Sequence, residues 1–290
     1  MKTTDEIINV AKKICKQQNF LLDEKSEDGG SFKKVYKVTS KSNQTFALKI
    51  IKSTTRSPRI VREISAIQKC DHPNISKIFR FDTINYESKE YDYFIEEYLG
   101  GGNLSKLLGA NGRLQRRDAI FIGNRLVSSL EHLHSKSLVH RDIKPDNIMF
   151  RENTLEPVLV DFSVVRDLAD VSLTQSWLDR GPGTPLFSAP EQINNQKKYI
   201  DWRTDQFALG VVMSIVILNF HPYQESDEVY ICNETVENIT NRKRNKKFMQ
   251  KCEESDCLCL DKMTKPWPVE RYRFPHELSN YWKNQEVNNV

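Results

Sequence analysis

No apolar run in the 290-residue chain is long enough to cross a bilayer: the longest, Phe207 to Phe220, falls short of the roughly 20 residues a spanning helix needs. No basic segment followed by an apolar one stands at the N-terminus, and Asp5 and Glu6 argue against a transit peptide, so the expected location is the cytoplasm. Cysteine is scarce, six in all, and six thiols in such a chain are expected to stay reduced. Charge bias is small as well: 43 Lys and Arg against 39 Asp and Glu leave +4, which points neither to nucleic acid nor to a membrane surface. There is no internal repeat and no low-complexity linker. What is present is an ordinary globular mixture, 38% hydrophobic and 28% charged, which excludes disordered and fibrous classes and suffices for a sizeable core.

With no linker to mark a boundary, organisation has to be read from changes in pattern. Ile7, Ile8, Ala11, Ile14 and Cys15 recur at helical spacing behind Thr3-x-x-Glu6, which predicts an amphipathic helix over 4–18 opened by a capping box. Short β-rich runs at 32–38, 45–51, 77–84 and 92–98 predict a small sheet, interrupted by one helix that Ser57-Pro58 opens. After Gly100-Gly101-Gly102 the pattern turns helical, with amphipathic runs at 115–135, 205–219 and 253–264 and short apolar strands near 146–150 and 157–161. The expected division is an N-terminal helix (1–19), a β-rich lobe (20–98), a hinge (99–102), a helical lobe (103–284) and a tail (285–290), with a ligand cleft at the lobe junction.

Chemistry concentrates in three motifs: H-R-D-I-K-P-D-N at 140–147, V-D-F-S at 160–163 and S-A-P-E at 188–191. In this order and spacing they resemble the protein kinase family, and the resemblance runs from about Phe20 to Trp282. It implies an α+β, bilobal fold and transfer of the γ-phosphoryl group of ATP, a reaction that asks a protein mainly for positioning and counter-charge. Asp142 would then accept or orient the proton of the attacking hydroxyl. Lys144 would neutralise the γ-phosphate, and a lysine there is similar to the serine/threonine branch. Asn147 and Asp161 would supply hard oxygen ligands for Mg²⁺. Lys49, in the apolar strand F-A-L-K, would need an anionic partner to stay charged, and the resemblance offers the nucleotide phosphates and Glu63. Val35 and Ala47 would pack on the adenine, and backbone atoms of Glu97 and Leu99 would hydrogen-bond it.

Several residues depart from the family pattern. In D-G-G-S-F-K-K-V at 28–35 only the middle glycine, Gly30, is kept; Gly30 and Ser31 can still turn backbone N–H groups to phosphate, while Lys33 adds charge. Ser163 stands where the family has glycine and restricts a backbone flip. Glu96 falls where the resemblance places an apolar back pocket, so either the alignment slips by one or the carboxylate bonds a nearby polar group.

Scaffold roles follow from the same resemblance: Thr184 bonded to Asp142 and Lys144, Glu191 paired with Arg271, Asp205 anchoring the 140–147 loop, and Ile67, Ile78, His140 and Phe162 stacked as a spine. These favour a protein acceptor over a small molecule. Asn103 and Ile215 carry no charge where a preference for upstream arginine would need carboxylates. Arg141 could receive a phosphate from the segment before Glu191, with Thr174 first, Ser176 next and Ser172 also available, unless Asp167, Asp170 or Asp179 occupies it. The basic run 242–247 reads as a solvated face, and Cys252, Cys257 and Cys259 read as thiols without a zinc spacing. The sequence thus predicts a serine/threonine protein kinase using ATP and Mg²⁺ on a protein substrate, with autophosphorylation and without nucleic acid or membrane partners. A pseudokinase scaffold and a small-molecule phosphotransferase are the rival readings.

Overall fold

The structure is a computed structural model that describes residues 2–27, 33–51, 64–111, 114–168, 183–226 and 231–288. The chain divides into two compact units, 1–71 with 76–100, and 72–75 with 101–290.

The first unit is an antiparallel sheet of five strands, β1 (Phe20–Glu27), β2 (Lys33–Ser40), β3 (Thr45–Ile51), β4 (Ile78–Tyr86) and β5 (Lys89–Glu97), in spatial order β1-β2-β3-β5-β4. Register decides what each face carries. Val35 pairs with Lys49, Ala47 with Glu96 and Lys49 with Phe94, so Val35, Ala47, Lys49, Phe94 and Glu96 share one face. The opposite face, with Tyr36, Val38, Leu48, Ile50, Tyr93 and Ile95, is sealed by Ile7, Val10, Ala11, Ile14 and Cys15 of α1 (Lys2–Gln18). The expected capping box is not formed. The helix starts at Lys2, which puts Thr3 inside it, and Glu6 is spent elsewhere, accepting from Tyr91 Oη (2.6 Å) and Lys89 Nζ (2.7 Å). Strand β1 is absent from the expected runs because its second half, Asp23-Glu24-Lys25-Ser26-Glu27, has no apolar alternation. The Ser57-Pro58 helix start lies outside the described residues; residues 64–68 are helical.

The second unit is mainly helical: α2 (Leu104–Asn111), α3 (Arg116–Ser135), α4 (Pro190–Ile193), α5 (Trp202–Leu218), α6 (Cys232–Thr240), α7 (Phe248–Glu254), α8 (Leu258–Met263) and α9 (Pro275–Asn288). Two small ribbons, β6 (Leu138–Val139) with β9 (Arg166–Asp167) and β7 (Ile148–Phe150) with β8 (Pro157–Leu159), frame the loop 140–147. Helix α5 is buried almost all round, begins three residues before the predicted 205 and is capped by Asp201, whose side chain accepts from Arg203 N. The single helix predicted over 253–264 is two, α7 and α8, broken at Asp256 with φ 47°.

The basic run 242–247 is not merely a solvated face. Arg244 pairs with Asp261 at 2.7 Å, Lys243 with Glu225 at 3.0 Å, and Arg242 lies 4.0 Å over the Trp267 ring. Cys252, Cys257 and Cys259 are buried free thiols whose pKa values burial raises, so they are poor nucleophiles and poor ligands.

Helix α9 docks on α3 by seating Trp282 over Gly123. A Cβ at residue 123 would overlap the indole of Trp282. Alanine in a helix interior gains about 1 kcal/mol over glycine, whereas overpacking costs about 1–3 kcal/mol, so the clash wins. Gly123→Ala should therefore lower stability in urea unfolding, and the same change in a Trp282→Leu background should be neutral or stabilising.

Candidate functional site

In the second unit, the loop between β6 and β7 is shaped from beneath by one carboxylate. Asp205, in the first turn of α5 and 2% exposed, accepts from His140 N at 2.7 Å and Arg141 N at 2.8 Å. Burial pushes its carboxyl up to about 7, opposed by those two N–H donors. They hold Arg141 in the left-handed region, φ 68°. The His140 ring fixes a second point: Nδ1 accepts from Asp142 N (3.3 Å), Nε2 donates to Val160 O (3.1 Å), and Phe162 packs edge-on at 4.6 Å.

That framework presents Asp142 with both oxygens engaged. Oδ1 accepts from Thr184 N (2.9 Å) and Thr184 Oγ1 (2.8 Å); Oδ2 accepts from Asn147 Nδ2 (3.0 Å) and Lys144 Nζ (3.0 Å). Lys144 Nζ also donates to Thr184 Oγ1 at 2.9 Å, which closes a ring of three side chains. A carboxylate receiving four donors is fixed in place as an acceptor. Asn147 donates its amide to Asp142 O as well (2.8 Å), and its own carbonyl accepts from Val160 N (3.0 Å). The latter bond sets Asn147 beside Asp161, which has φ 64° and accepts weakly from Ser163 N (3.4 Å).

Further support comes from α4 and α5. Glu191 and Arg271 form a two-bond pair with no solvent exposure, Nη1 to Oε1 at 2.7 Å and Nη2 to Oε2 at 3.0 Å, and Thr204 Oγ1 adds a third donor at 3.0 Å. Sequence reasoning missed Gln192, whose Nε2 donates to Arg141 O at 2.6 Å, and Gly183, whose φ of 124° allows that approach. Arg141 Nε donates to Val164 O at 2.7 Å, so part of the guanidinium foreseen for a phosphate is committed. Thr174, Ser176 and Ser172 lie outside the described residues, as do Gly30, Ser31 and Glu63.

In the first unit, Lys49 meets a carboxylate that the sequence did not assign to it. Its Nζ lies 2.5 Å from Glu96 Oε2, with the two side chains 18% and 3% exposed. The reason is register: Ala47 faces Glu96, so Lys49, two residues along, reaches it diagonally across the face. Counting strand register from Ala47 would have found this pair; motif matching, which assigns Lys49 a helix carboxylate, does not. Glu97 N donates to Lys77 O at 3.1 Å, and Leu99 is buried. Of the four spine residues, Ile67 and Ile78 belong to this unit and His140 and Phe162 to the other.

His140 and His221 are both held neutral by burial, His221 down to about 4, and its ring repeats the pattern, Nδ1 accepting from Tyr223 N and Nε2 donating to Leu186 O. Protonation would place a hydrogen on Nδ1 against a backbone N–H. Folding thus weakens proton binding relative to an unfolded imidazole near 6.5, and stability is lost as pH falls from there towards 4. The stability advantage of wild type over His221→Asn should accordingly shrink by about 3 kcal/mol between pH 7 and pH 4 in urea titrations. An advantage that does not change with pH would show that His221 is not held neutral.

Comparison with known proteins bears on this geometry. The sequence profile described as "Protein kinase domain" matches residues 29–282. A probable myosin light chain kinase of Dictyostelium discoideum is 32% identical over 205 residues, 68% of this chain and 63% of that protein. Calcium-dependent protein kinase 5 of Plasmodium falciparum is 33% identical over 69% of this chain and 34% of its own length, and a serine/threonine-protein kinase stk11 homolog of D. discoideum is 33% identical over 57% and 28%. The chain therefore spans less than two thirds of each of these relatives. A profile match over most of the sequence, together with the two-unit α+β architecture, establishes that the chain belongs to the protein kinase family.

Proposed function

We propose that the chain is a serine/threonine protein kinase that transfers the γ-phosphoryl group of Mg-ATP to a protein hydroxyl in the cytoplasm and phosphorylates itself. The observation that carries this reading is the ring of Asp142, Lys144 and Thr184, a fixed acceptor beside a cation on one loop. Asp142 would take or orient the proton of the incoming hydroxyl, and Lys144 would offset charge on the transferred phosphoryl oxygens. Two of the three relatives carry names, myosin light chain kinase and serine/threonine-protein kinase, that agree with a serine/threonine acceptor.

The residues fit a magnesium ion. Among the described residues no group of three His, Cys, Asp or Glu could cage a metal, and Mg²⁺ needs none: one or two protein oxygens suffice where waters and phosphates complete the shell. Asp161 and the Asn147 side-chain oxygen would supply those donors, and the ion when bound would neutralise phosphate charge. On the first unit, Val35 and Ala47 would pack against adenine, Lys49 would meet phosphate, and Glu97 and Leu99 would offer backbone hydrogen bonds; Gly30, Ser31 and Glu63 complete the proposed set.

A pseudokinase remains the second reading because Lys49 is engaged by Glu96 and Ser163 stands where the family has glycine. Incorporation of ³²P from Mg-ATP into the protein itself and into a protein extract separates the two. Wild type should incorporate phosphate, Asp161→Ala should lose it with the metal ligand, and Asp142→Asn should lose transfer by about 10³-fold or more while keeping near-normal ATP affinity. A wild type as inert as Asp161→Ala, yet folded and binding ATP, would establish the pseudokinase.

Acceptor preference is also open to test. Asn103 is used locally, its Oδ1 accepting from Lys106 N at 2.9 Å, and Ile215 packs against an apolar cluster, so neither offers a carboxylate to a substrate guanidinium. Peptide-library phosphorylation should show no strong selection for arginine two or three residues before the acceptor.

A further inference from the structure

Glu96 is an ionisable side chain that the described residues satisfy on one oxygen alone. Oε2 is bound to Lys49 at 2.5 Å, whereas Oε1 is shut off from solvent and has no hydrogen-bond partner among the described residues. The residue as a whole is 2% exposed. A buried acceptor left unpaired is costly, and more so on a charged group, so an occupant that brings a donor to it gains what the described residues do not supply. Neighbours on the sheet narrow what that occupant is. Directly opposite on β3 stands Ala47, whose methyl is the smallest side chain of this row, and Val35 lies across from Lys49 on β2. Residues directly opposite in an antiparallel pair have Cβ atoms about 5 Å apart. A flat ring lying on Ala47 and Val35 therefore brings its edge to Glu96, while Lys49 holds the carboxylate in one orientation.

We propose that Glu96 determines which nucleobase the chain takes: Oε1 accepts a hydrogen bond from the exocyclic amino group at C6 of a purine, so 6-aminopurine nucleotides are selected and 6-oxopurine nucleotides rejected. This rests on the reading that the Val35–Ala47 face holds the base, and it adds a side-chain acceptor to the backbone contacts assigned to Glu97 and Leu99. A 6-oxo group would set its own acceptor oxygen against the carboxylate, which leaves both unpaired and adds repulsion. Sites that hydrogen-bond a ligand group discriminate strongly against analogues that lack it.

Binding of Mg-ATP and Mg-ITP to the full chain tests this, because the two nucleotides differ at C6 and in the proton on N1 that accompanies the oxo group. Titration calorimetry should give wild type a clear preference for ATP. Glu96→Met should lower the ATP:ITP affinity ratio tenfold or more, and Glu96→Gln should lower it as well, since its amide can turn an N–H towards the oxo group. Met also releases Lys49, and Gln keeps an acceptor for it but loses the ion pair; either change alters phosphate affinity, but that effect is common to both nucleotides and cancels in the ratio. A purely structural role for Glu96 would weaken both nucleotides alike and leave the ratio unchanged. An unchanged ratio in folded, nucleotide-binding Glu96→Gln overturns the proposal and leaves the kinase reading standing. A folded wild type that binds neither nucleotide overturns both. Should Glu96→Met fail to fold, the near-isosteric Gln variant decides alone.

Discussion

The second unit depends on one buried carboxylate. Asp205 sits at the start of a helix that contributes almost no surface, and its two oxygens are spent on consecutive backbone N–H groups of His140 and Arg141. The Asp142 cluster of this unit is built up from that anchor. With His140 fixed, its ring can bridge Val160 and the backbone of Asp142; with Asp142 fixed, Lys144, Asn147 and Thr184 converge on its side chain. The burial that makes Asp205 costly to ionise is also what makes its hydrogen bonds strong, since little water competes for them. A surface aspartate at the same point in sequence would hold nothing.

Much of this arrangement was legible because the motifs of the protein kinase family are short and ordered, and such motifs tie residue type to backbone position. Asp142, Lys144, Asn147 and Thr184 could be named together for that reason, as could Glu191 with Arg271. What was not legible depends on register and competition rather than on motif. The pairing of Lys49 with Glu96 follows from Ala47 lying opposite Glu96, a fact about two strands 47 residues apart that no local pattern carries. Strand β1 escaped because its charged half has no face to hide; it is an edge strand held by β2 alone. Helix α1 was visible from its apolar spacing, but its start was misplaced because Glu6, read as a cap, is recruited by Lys89 and Tyr91 on the sheet. Tertiary partners outbid local ones.

Polar groups that read as a plain solvated face also fasten one segment to another. Arg244 reaches both the side chain and the backbone of Asp261, and Arg242 lies on Trp267, so a run that looks like a solvated cationic patch ties α8 and the 265–270 stretch to the segment before α7. Arginine suits this use because its planar head stacks on an aromatic ring and spans two acceptors at once. The thiols of Cys252, Cys257 and Cys259 nearby are packing atoms, their reactivity quenched by burial.

Strand β3 carries two loads on opposite faces. Ala47 and Lys49 point one way, towards Glu96 and Phe94, while Leu48 and Ile50 point the other, into the layer made with α1. Because alternate residues of one strand are rigidly coupled, Lys49 cannot slide along the sheet without dragging the α1 contacts with it. The N-terminal helix thus acts as ballast for the lysine: it packs on the face opposite Lys49 and Glu96, and loads the back of the strand whose front places the charge.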